Sequence, residues 1–183
     1  IPQYYTSIQE GINTAADGDT VFVAAGTYYE NINFNGKNIA LIGEDRETTI
    51  IDGGQNGSVI RFEGESINDA LLSGFTIQNG NYSGGGGIYI NGASPNLINL
   101  SILNNYAIYD GGGIHCHNCG LYLSNSTIEN NTAVDDGAGI YIGTNSNTII
   151  DNTFIMNNIS SNQGGGLAIL ENSTVDISNS SFL

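Results

Sequence analysis

Basic residues are scarce in this chain: its 183 residues include 3 Lys and Arg against 18 Asp and Glu, and the formal net charge at pH 7 is −15. Phosphate backbones and anionic lipid surfaces repel a chain of this charge. No apolar run approaches the roughly 20 residues that a membrane-spanning helix requires. The composition therefore argues against nucleic-acid binding and against membrane insertion.

Tryptophan is absent, and the chain has only 1 Met, 2 Pro and 2 Cys. Two cysteines are too few for a disulfide scaffold. Hydrophobic residues make up 39% of the chain, which is too many for a disordered protein. Gly, Asn and Ile each occur 26 times, and this combination favours short strands joined by tight turns.

From residue 84 onward the chain repeats itself. The first motif is Gly-Gly-Ile-Tyr-Ile at residues 86–90. Its middle position recurs after 26, 26 and 27 residues. The later copies of this motif occupy residues 112–116, 138–142 and 165–169. A second motif, which ends in a pair of asparagines, keeps the same period at residues 99–105, 125–131 and 152–158. Two independent motifs with one period indicate a structural repeat.

The repeat unit has the pattern of strands and not of helices. Its apolar residues alternate, and it is shorter than a helical hairpin repeat of about 33 residues or more. Three short strands and three turns account for one unit, which is one coil of a parallel β-helix with coils roughly 4.8 Å apart. Stacking predicts two inward ladders, formed by Ile88, Ile114, Ile140 and Leu167 and by Ile90, Cys116, Ile142 and Ile169.

The asparagine pairs of the second motif lie at residues 104–105, 130–131 and 157–158. Asparagine tolerates the left-handed backbone conformation that a corner can require. A stack of asparagine amides can also hydrogen-bond along the axis from one coil to the next. We therefore expect one asparagine of each pair to join an amide ladder, and the sequence leaves open which one.

The first part of the chain predicts a cap followed by less regular coils. Apolar residues at positions 8, 12, 15 and 16 have helical spacing, and Thr6 or Ser7 can serve as the N-cap. A short helix would cover the open end of the stacked strands. Strands are expected at residues 20–23, 32–34, 39–42, 50–51, 59–62 and 70–77.

We expect one domain over residues 1–183, with an N-terminal cap at 1–20, irregular first coils at 21–83 and regular repeats at 84–183. The sequence stops at residues 181–183, within another copy of the second motif. This favours a fragment of a longer chain. The alternative is an end-to-end contact, in which another protomer covers the uncapped C-terminal coil.

Several segments resemble the N-terminal signature of secreted right-handed parallel β-helix proteins of the pectin-lyase-like superfamily. They are Ser-Ile-Gln-Glu at 7–10, Asp-Gly-Asp-Thr-Val at 17–21, Gly-Thr-Tyr-Tyr-Glu-Asn at 26–31, Leu-Ile-Gly at 41–43 and Thr-Ile-Ile-Asp-Gly at 49–53. The run at 72–80 and the Gly-Gly-x-Ile repeats after it resemble large bacterial cell-surface β-helix proteins and the repeats of chlamydial polymorphic outer-membrane proteins. The resemblance implies an all-β fold, a right-handed parallel β-helix (solenoid) with a short N-terminal capping helix, in a secreted or cell-surface protein.

This superfamily includes lyases, esterases, hydrolases, epimerases and non-catalytic adhesins, so the resemblance does not fix an activity. Its polysaccharide lyases typically use Arg or Lys as a base, and the basic residues here are Lys37, Arg46 and Arg61, all in the first third of the chain. No pair of carboxylates stands out as a glycosidase pair. The sequence favours a non-catalytic extracellular or cell-surface module, such as a stalk, an adhesin or a glycan-binding module. The alternative is a polysaccharide-active lyase or hydrolase with an incomplete groove.

Tyr89, His115 and Tyr141 share one register on three successive coils and are predicted to project outward. Stacked rings would offer apolar faces and polar edges to sugar rings or to an apolar patch of a partner. Nearby outward positions that could supply hydrogen bonds are Asn91, His117 and Thr144. The sequence predicts a binding face for a polysaccharide or a cell-surface partner, or equally a stripe that only supports the sheet by cross-strand packing.

Three aspartates form a candidate metal site. Asp110 and Asp136 share one corner of successive coils, with Asp135 beside them. Carboxylates this close repel one another unless a cation bridges them, and Ca²⁺ is the natural candidate because it prefers oxygen ligands. The alternative is a set of solvated corner aspartates.

The run His115-Cys116-His117-Asn118-Cys119 could hold a soft metal such as zinc. Neighbouring residues of a strand point to opposite faces, however, which argues against shared ligation by His115 and Cys116. Cys116 instead occupies an inward position and is expected to be a small core residue. A local disulfide between Cys116 and Cys119 is the further alternative if the protein is exported.

Overall fold

The computed structural model describes residues 5–183, and in this part of the chain successive coils stack through parallel strand pairs. Four sheets run along the stack, and we name them A, B, C and D. Sheets A and B have seven strands each, sheet C has six and sheet D has four. The predicted all-β parallel solenoid is therefore confirmed.

The strands are short, with two to five residues each. Sheet A contains Thr20–Val23 (β1), Ala40–Gly43 (β4), Leu71–Ser73 (β7), Asn96–Ile98 (β11), Tyr122–Ser124 (β15), Asn147–Asp151 (β19) and Thr174–Ser178 (β23). Sheet B contains Gly26–Tyr29 (β2), Thr49–Asp52 (β5), Thr76–Gln78 (β8), Ser101–Leu103 (β12), Thr127–Glu129 (β16), Phe154–Met156 (β20) and Ser181–Phe182 (β24). Sheet C contains Ile32–Asn33 (β3), Ile60–Glu63 (β6), Ile88–Asn91 (β10), Ile114–His117 (β14), Ile140–Ile142 (β18) and Leu167–Ile169 (β22). Sheet D contains Asn81–Tyr82 (β9), Tyr106–Ala107 (β13), Thr132–Ala133 (β17) and Ile159–Ser160 (β21).

The regular coils contain four strands, so the expectation of three strands per coil is wrong. After the second asparagine of each pair the backbone stays extended for two residues before the glycine-rich corner, and these two-residue segments form sheet D together with Asn81–Tyr82. The predicted strand over residues 70–77 is also wrong, because it consists of two strands. Gly74 lies between them with a φ of 80°, a conformation that glycine adopts without a steric penalty, and there the chain passes from sheet A to sheet B.

Both inward ladders lie in sheet C in the predicted register. The ladder through Ile88, Ile114 and Ile140 is fully buried, and Leu167 extends it with partial exposure. Side chains from sheets A and B fill the rest of the interior, so one continuous hydrophobic core runs through the stack. Because each coil contributes the same inward positions, the period in the sequence becomes a column of apolar side chains in the structure.

Cys116 faces the core in register with Ile90 and Ile142, and it is bonded to Cys119 in a disulfide. His115, the preceding residue of the same strand, lies in register with Tyr89 on the outer side of sheet C. Since the disulfide contains both sulfur atoms, residues 115–119 have no free thiolate that could bind zinc.

The two asparagines of each pair have separate roles. Asn104, Asn130 and Asn157 adopt φ values of 56°, 55° and 54°, and so they supply the left-handed corner. The second asparagines, Asn105, Asn131 and Asn158, form the amide ladder. The Oδ1 of Asn131 accepts hydrogen bonds from the backbone N–H and the Nδ2 of Asn105, both at 3.0 Å. The Oδ1 of Asn158 accepts the corresponding two bonds from Asn131, also at 3.0 Å.

The predicted cap contains the helix Ile8–Thr14 (α1), and Ser7 is its N-cap. Its buried residues Ile8 and Ile12 lie over the first coil and belong to the main core. Within residues 5–183 no helix is both long and apolar enough to cross a membrane. Residues 1–4 of the predicted 1–20 cap lie outside the described residues.

Two charged side chains hold α1 at its ends. The Glu30 carboxylate accepts hydrogen bonds from the backbone N–H groups of Ile8 and Gln9 at 2.8 and 3.0 Å. Lys37 Nζ donates to three carbonyl oxygens at the other end, those of Ile12, Asn13 and Ala15, at 2.7 to 2.8 Å. These contacts satisfy groups that a helix leaves without intrahelical partners.

Apolar side chains are exposed in the coil formed by residues 159–183. Ile169, Ile177 and Phe182 occupy inward positions, yet 41 to 47% of each is exposed. Ile177 and Phe182, together with Leu167, border a shallow apolar depression. The end-to-end contact expected at this coil stays a prediction.

Candidate functional site

Tyr89, His115 and Tyr141 form a row on the outer face of sheet C, and we call them the aromatic row. Their ring centroids are 5.4 and 4.9 Å apart, with interplanar angles of 23° and 22°. Arg61 precedes the row in the same register, and its guanidinium carbon lies 5.1 Å from the centroid of Tyr89. It also lies 4.9 Å from the centroid of Tyr82, whose ring meets Tyr89 edge-on.

Stacking covers most of the ring faces in the aromatic row. The rings of His115 and Tyr141 are nearly parallel, and their centroids are 4.9 Å apart. Two rings that lay side by side in one plane could not come this close, so these two rings are stacked face to face with an offset. His115 therefore covers one face each of Tyr89 and Tyr141, and Arg61 covers the other face of Tyr89. The face of Tyr141 opposite His115 lies on the side of Ala168, which has no ring to cover it. The expectation that the row offers apolar faces to sugar rings therefore stays a prediction for Tyr141, and Tyr89 and His115 offer their outer edges.

The aromatic row carries no charge of its own near neutral pH. Burial lowers the pKa of His115 to about 4, so its imidazole is neutral. Burial also raises the pKa of the Tyr89 phenol, and the nearby Glu63 charge adds to this. The pKa of Tyr141 is raised by burial and then by the charges of the Asp110 group. The row is thus a neutral surface.

Asn91 and His117 are exposed and in register with one another. They are the last residues of β10 and β14, two positions after Tyr89 and His115. Glu63 precedes them in the same line. Thr144 was predicted to be a further member of this group, but it does not lie in the same line. The reason is that β18 ends at Ile142 and the chain then enters a turn. The carbonyl of Thr144 accepts from the backbone N–H of Asn118 instead.

Asp110, Asp135 and Asp136 lie together at the predicted corner, with carboxylate oxygens within 4.8 Å of one another. Asp110 Oδ1 accepts the backbone N–H of Asp136 at 3.1 Å, and Asp136 Oδ1 accepts that of Gln163 at 2.9 Å. Burial raises the pKa of Asp110, and the charges of its two neighbours act in the same direction. The hydrogen bonds agree with corner aspartates that cap backbone groups, and the binding of Ca²⁺ stays a prediction.

If Ca²⁺ bridges these aspartates, millimolar CaCl₂ should raise the melting temperature, because an ion that binds only the folded chain stabilises it. The Asp110→Asn, Asp136→Asn double variant should lose this increase, and MgCl₂ at the same concentration controls for ionic strength. Differential scanning calorimetry measures both. An equal shift in the double variant, or no shift in the original chain, would contradict calcium binding.

One feature of the outer surface has no counterpart among the predicted site residues. A cleft of about 300 Å³ lies next to sheet D and is lined by Gln55, Gly80, Asn81, Asn104 and Tyr106. One wall is the turn at residues 53–57, whose Gly-Gly-Gln-Asn-Gly sequence interrupts the strands of the irregular coils. That interruption is the one sequence signal that could have pointed to it.

A family model described as "Right handed beta helix region" matches residues 11–182, which agrees with the predicted handedness. No curated protein matches the chain. Among solved structures, a mutant of pectin methylesterase crystallised with a hexasaccharide is similar, with 12% sequence identity and a TM-score of 0.47. That comparison covers 99% of this chain and 86% of the other chain. At this level of similarity it carries no argument about activity.

Proposed function

The chain belongs to the right-handed β-helix family, and from that premise we propose that it is a non-catalytic module of a secreted or cell-surface protein that binds a polysaccharide on its outer surface. The observation that carries the proposal is the use of all three basic side chains in structural contacts.

Lys37, Arg46 and Arg61 are each engaged by the protein itself. Lys37 holds the end of α1 through three carbonyl groups. Arg46 Nη1 donates to the carbonyl oxygen of Asn125 at 3.0 Å. Arg61 forms an ion pair with Glu63 at 2.8 Å, and this hydrogen bond raises the Arg61 pKa further above its usual value. A guanidinium held in this way cannot accept a proton from a sugar, as a lyase base must.

The carboxylate of Asp52 is likewise engaged by the protein itself. Burial acts to raise the pKa of Asp52, but hydrogen bonds from Gln78, Gly54 and Asn79 outweigh it, so the net pKa lies below the usual value. An acid that stays ionised is unsuited to protonate a leaving group, and glycosidases need one carboxyl with a raised pKa beside a second carboxylate. Asp110 is the exception, because its pKa is raised beside the carboxylates of Asp135 and Asp136. Its Oδ1 already accepts the backbone N–H of Asp136. The engagement of the basic side chains therefore remains the main support for a surface that binds a polymer without cleaving it.

Two further features support an exported binding module. A disulfide such as Cys116–Cys119 persists in oxidising compartments and is rare in the cytosol. The outer face of sheet C combines the edges of Tyr89 and Tyr141 with the exposed amide of Asn91. Neutral hydroxyl and amide groups on a rigid sheet are suited to the hydroxyl groups of a polysaccharide.

The test incubates the intact chain with a panel of neutral and acidic polysaccharides and measures both retention and the release of reducing or unsaturated ends. We expect retention on at least one polymer without release of products. Cleavage of any polymer would support the enzyme alternative and overturn the non-catalytic proposal. Absence of retention on the whole panel would overturn polysaccharide binding and leave a role as a stalk.

The Tyr89→Phe, Tyr141→Phe double variant separates binding from packing, because it keeps the stacked rings and removes only their hydroxyl groups. We expect weaker retention with an unchanged melting temperature. The corresponding double alanine variant should lose stability as well, by about 1 to 3 kcal/mol for two stacked pairs. Retention of the phenylalanine variant at the original level would show that the aromatic row only supports the sheet.

A further inference from the structure

We infer that the cleft between the turn at residues 53–57 and sheet D is a subsite for one unit of a neutral glycan. The inference rests on the proposed function, since it names the place and the chemical class of ligand for a module that binds a polysaccharide. The cleft lies apart from the aromatic row, and different residues line it.

The size and lining of the cleft suit a single sugar. Its volume of about 300 Å³ lies at the lower end of the range for small-molecule sites, which is about 300 to 1,000 Å³. The lining consists of three side-chain amides, one tyrosine and one glycine, with no charged side chain. Amides offer both donors and acceptors to hydroxyl groups, and a tyrosine ring offers an apolar surface to the C–H groups of a sugar.

The polar side chains of the cleft are free to bind. Within residues 5–183 the side chains of Gln55, Asn81, Asn104 and Tyr106 make no hydrogen bond to another residue, although all four border the same cleft. By contrast, the amide of the neighbouring Asn105 is fully used, with bonds to Ile77, Gly80 and Asn131. Tyr106 has 38% of its surface exposed, and its ring is in none of the aromatic stacks of this part of the chain.

Gln55 is held in this cleft by a backbone conformation that its residue type disfavours. Thirteen non-glycine residues of the described chain have positive φ, and twelve of them are asparagines. Gln55, with a φ of 59°, is the exception. Glycine or asparagine would adopt this conformation at lower cost, and the glutamine places a longer amide beside the cleft than asparagine would.

The turn that carries Gln55 is fixed before any ligand arrives. The backbone N–H of Asn56 donates to the carbonyl of Gly53 at 3.0 Å and closes the turn. The N–H of Gln55 donates to Asn79 at 2.7 Å, and Gly57 and Asn81 exchange two bonds of 3.0 Å. A preorganised wall lowers the ordering cost of binding.

The charge of the protein selects a neutral ligand. With 18 acidic and 3 basic residues, the chain repels uronate and sulfate polymers. Each basic side chain is already engaged, and none lines the cleft. The ligand class that fits is therefore a polymer of neutral hexoses or pentoses.

Isothermal titration calorimetry with hexasaccharides of glucose, mannose and xylose tests the inference, with hexagalacturonate as the anionic probe. At least one neutral hexasaccharide should bind. Tyr106→Ala should weaken that binding about ten-fold or more, and Gln55→Gly about three- to ten-fold. Because glycine relieves the left-handed conformation, Gln55→Gly should melt at the same or a higher temperature.

Matched controls come from exposed residues that do not line the cleft. Tyr29→Ala removes another exposed tyrosine, and Asn145→Gly relaxes another residue with positive φ, 55°. Both variants should bind the neutral hexasaccharide as the original chain does. If they weaken binding as much as Tyr106→Ala and Gln55→Gly, the cleft is not the subsite.

Other outcomes separate this inference from the proposed function. Polysaccharide retention that persists unchanged in Tyr106→Ala and Gln55→Gly would overturn the cleft and leave the proposed function intact. Preferential binding of hexagalacturonate would overturn the neutral ligand class. No retention on the whole polysaccharide panel would overturn the proposed function, and the subsite with it.

Discussion

Replacing Ile140 with aspartate should lower the free energy of unfolding by at least about 4 kcal/mol. Ile140 has no exposed surface and lies in register between Ile114 and Leu167. A carboxylate at this position would have neither water nor a partner charge, and it would also remove the apolar contacts of both neighbours. Urea unfolding followed by circular dichroism measures the loss.

Ile169→Asp is the matched control for this prediction. It changes the same residue type in the same sheet one coil later, but 47% of Ile169 is exposed. A charge there stays hydrated, so we expect a much smaller loss, on the order of 1 kcal/mol. Equal losses in the two variants would contradict the depth of burial assigned to the ladder.

Asn131→Leu is expected to cost about 3 kcal/mol or more, although it adds apolar surface to a buried position. The Asn131 amide donates to the Ile102 carbonyl and to Asn158 Oδ1, and its oxygen accepts two bonds from Asn105, all at 3.0 Å. Leucine would leave these buried groups with fewer partners, and an unsatisfied buried group loses its hydration without compensation.

The neighbouring asparagine provides the control for Asn131→Leu. Asn130 is exposed and has a φ of 55°, so Asn130→Gly keeps the corner conformation and touches no member of the ladder. Its free energy of unfolding should change by less than about 1 kcal/mol. If Asn131→Leu is as stable as Asn130→Gly, the amide ladder does not contribute to stability as described.

The ladders could be predicted from the sequence because each coil repeats the same inward positions. One period of about 26 residues places Ile88, Ile114 and Ile140 in a column without any knowledge of long-range contacts. The two asparagines of a pair could not be told apart in the same way. They are identical in type, and only the burial of the second one separates their roles.

The surface was harder to predict than the core. Register alone placed Tyr89, His115 and Tyr141 in one row, but the tilt of their rings depends on side-chain torsions and on the guanidinium of Arg61. Whether ring faces or ring edges are accessible therefore could not be deduced from spacing. The cleft at Gln55 was missed for another reason, because its turn belongs to the irregular coils, where no repeat guides the alignment of one strand with the next.

The stacking of coils also sets where the molecule should open first. Each strand pairs only with the coil before and the coil after it, so an internal coil has two interfaces to lose and a terminal coil has one. At the N-terminal end Glu30 and Lys37 fasten α1 over the core. At the other end Ile177 and Phe182 are already in contact with water. In a protein that consists of residues 1–183 alone, amide protons should consequently exchange fastest in the coil of residues 159–183 and should be more protected in the coils between residues 96 and 133.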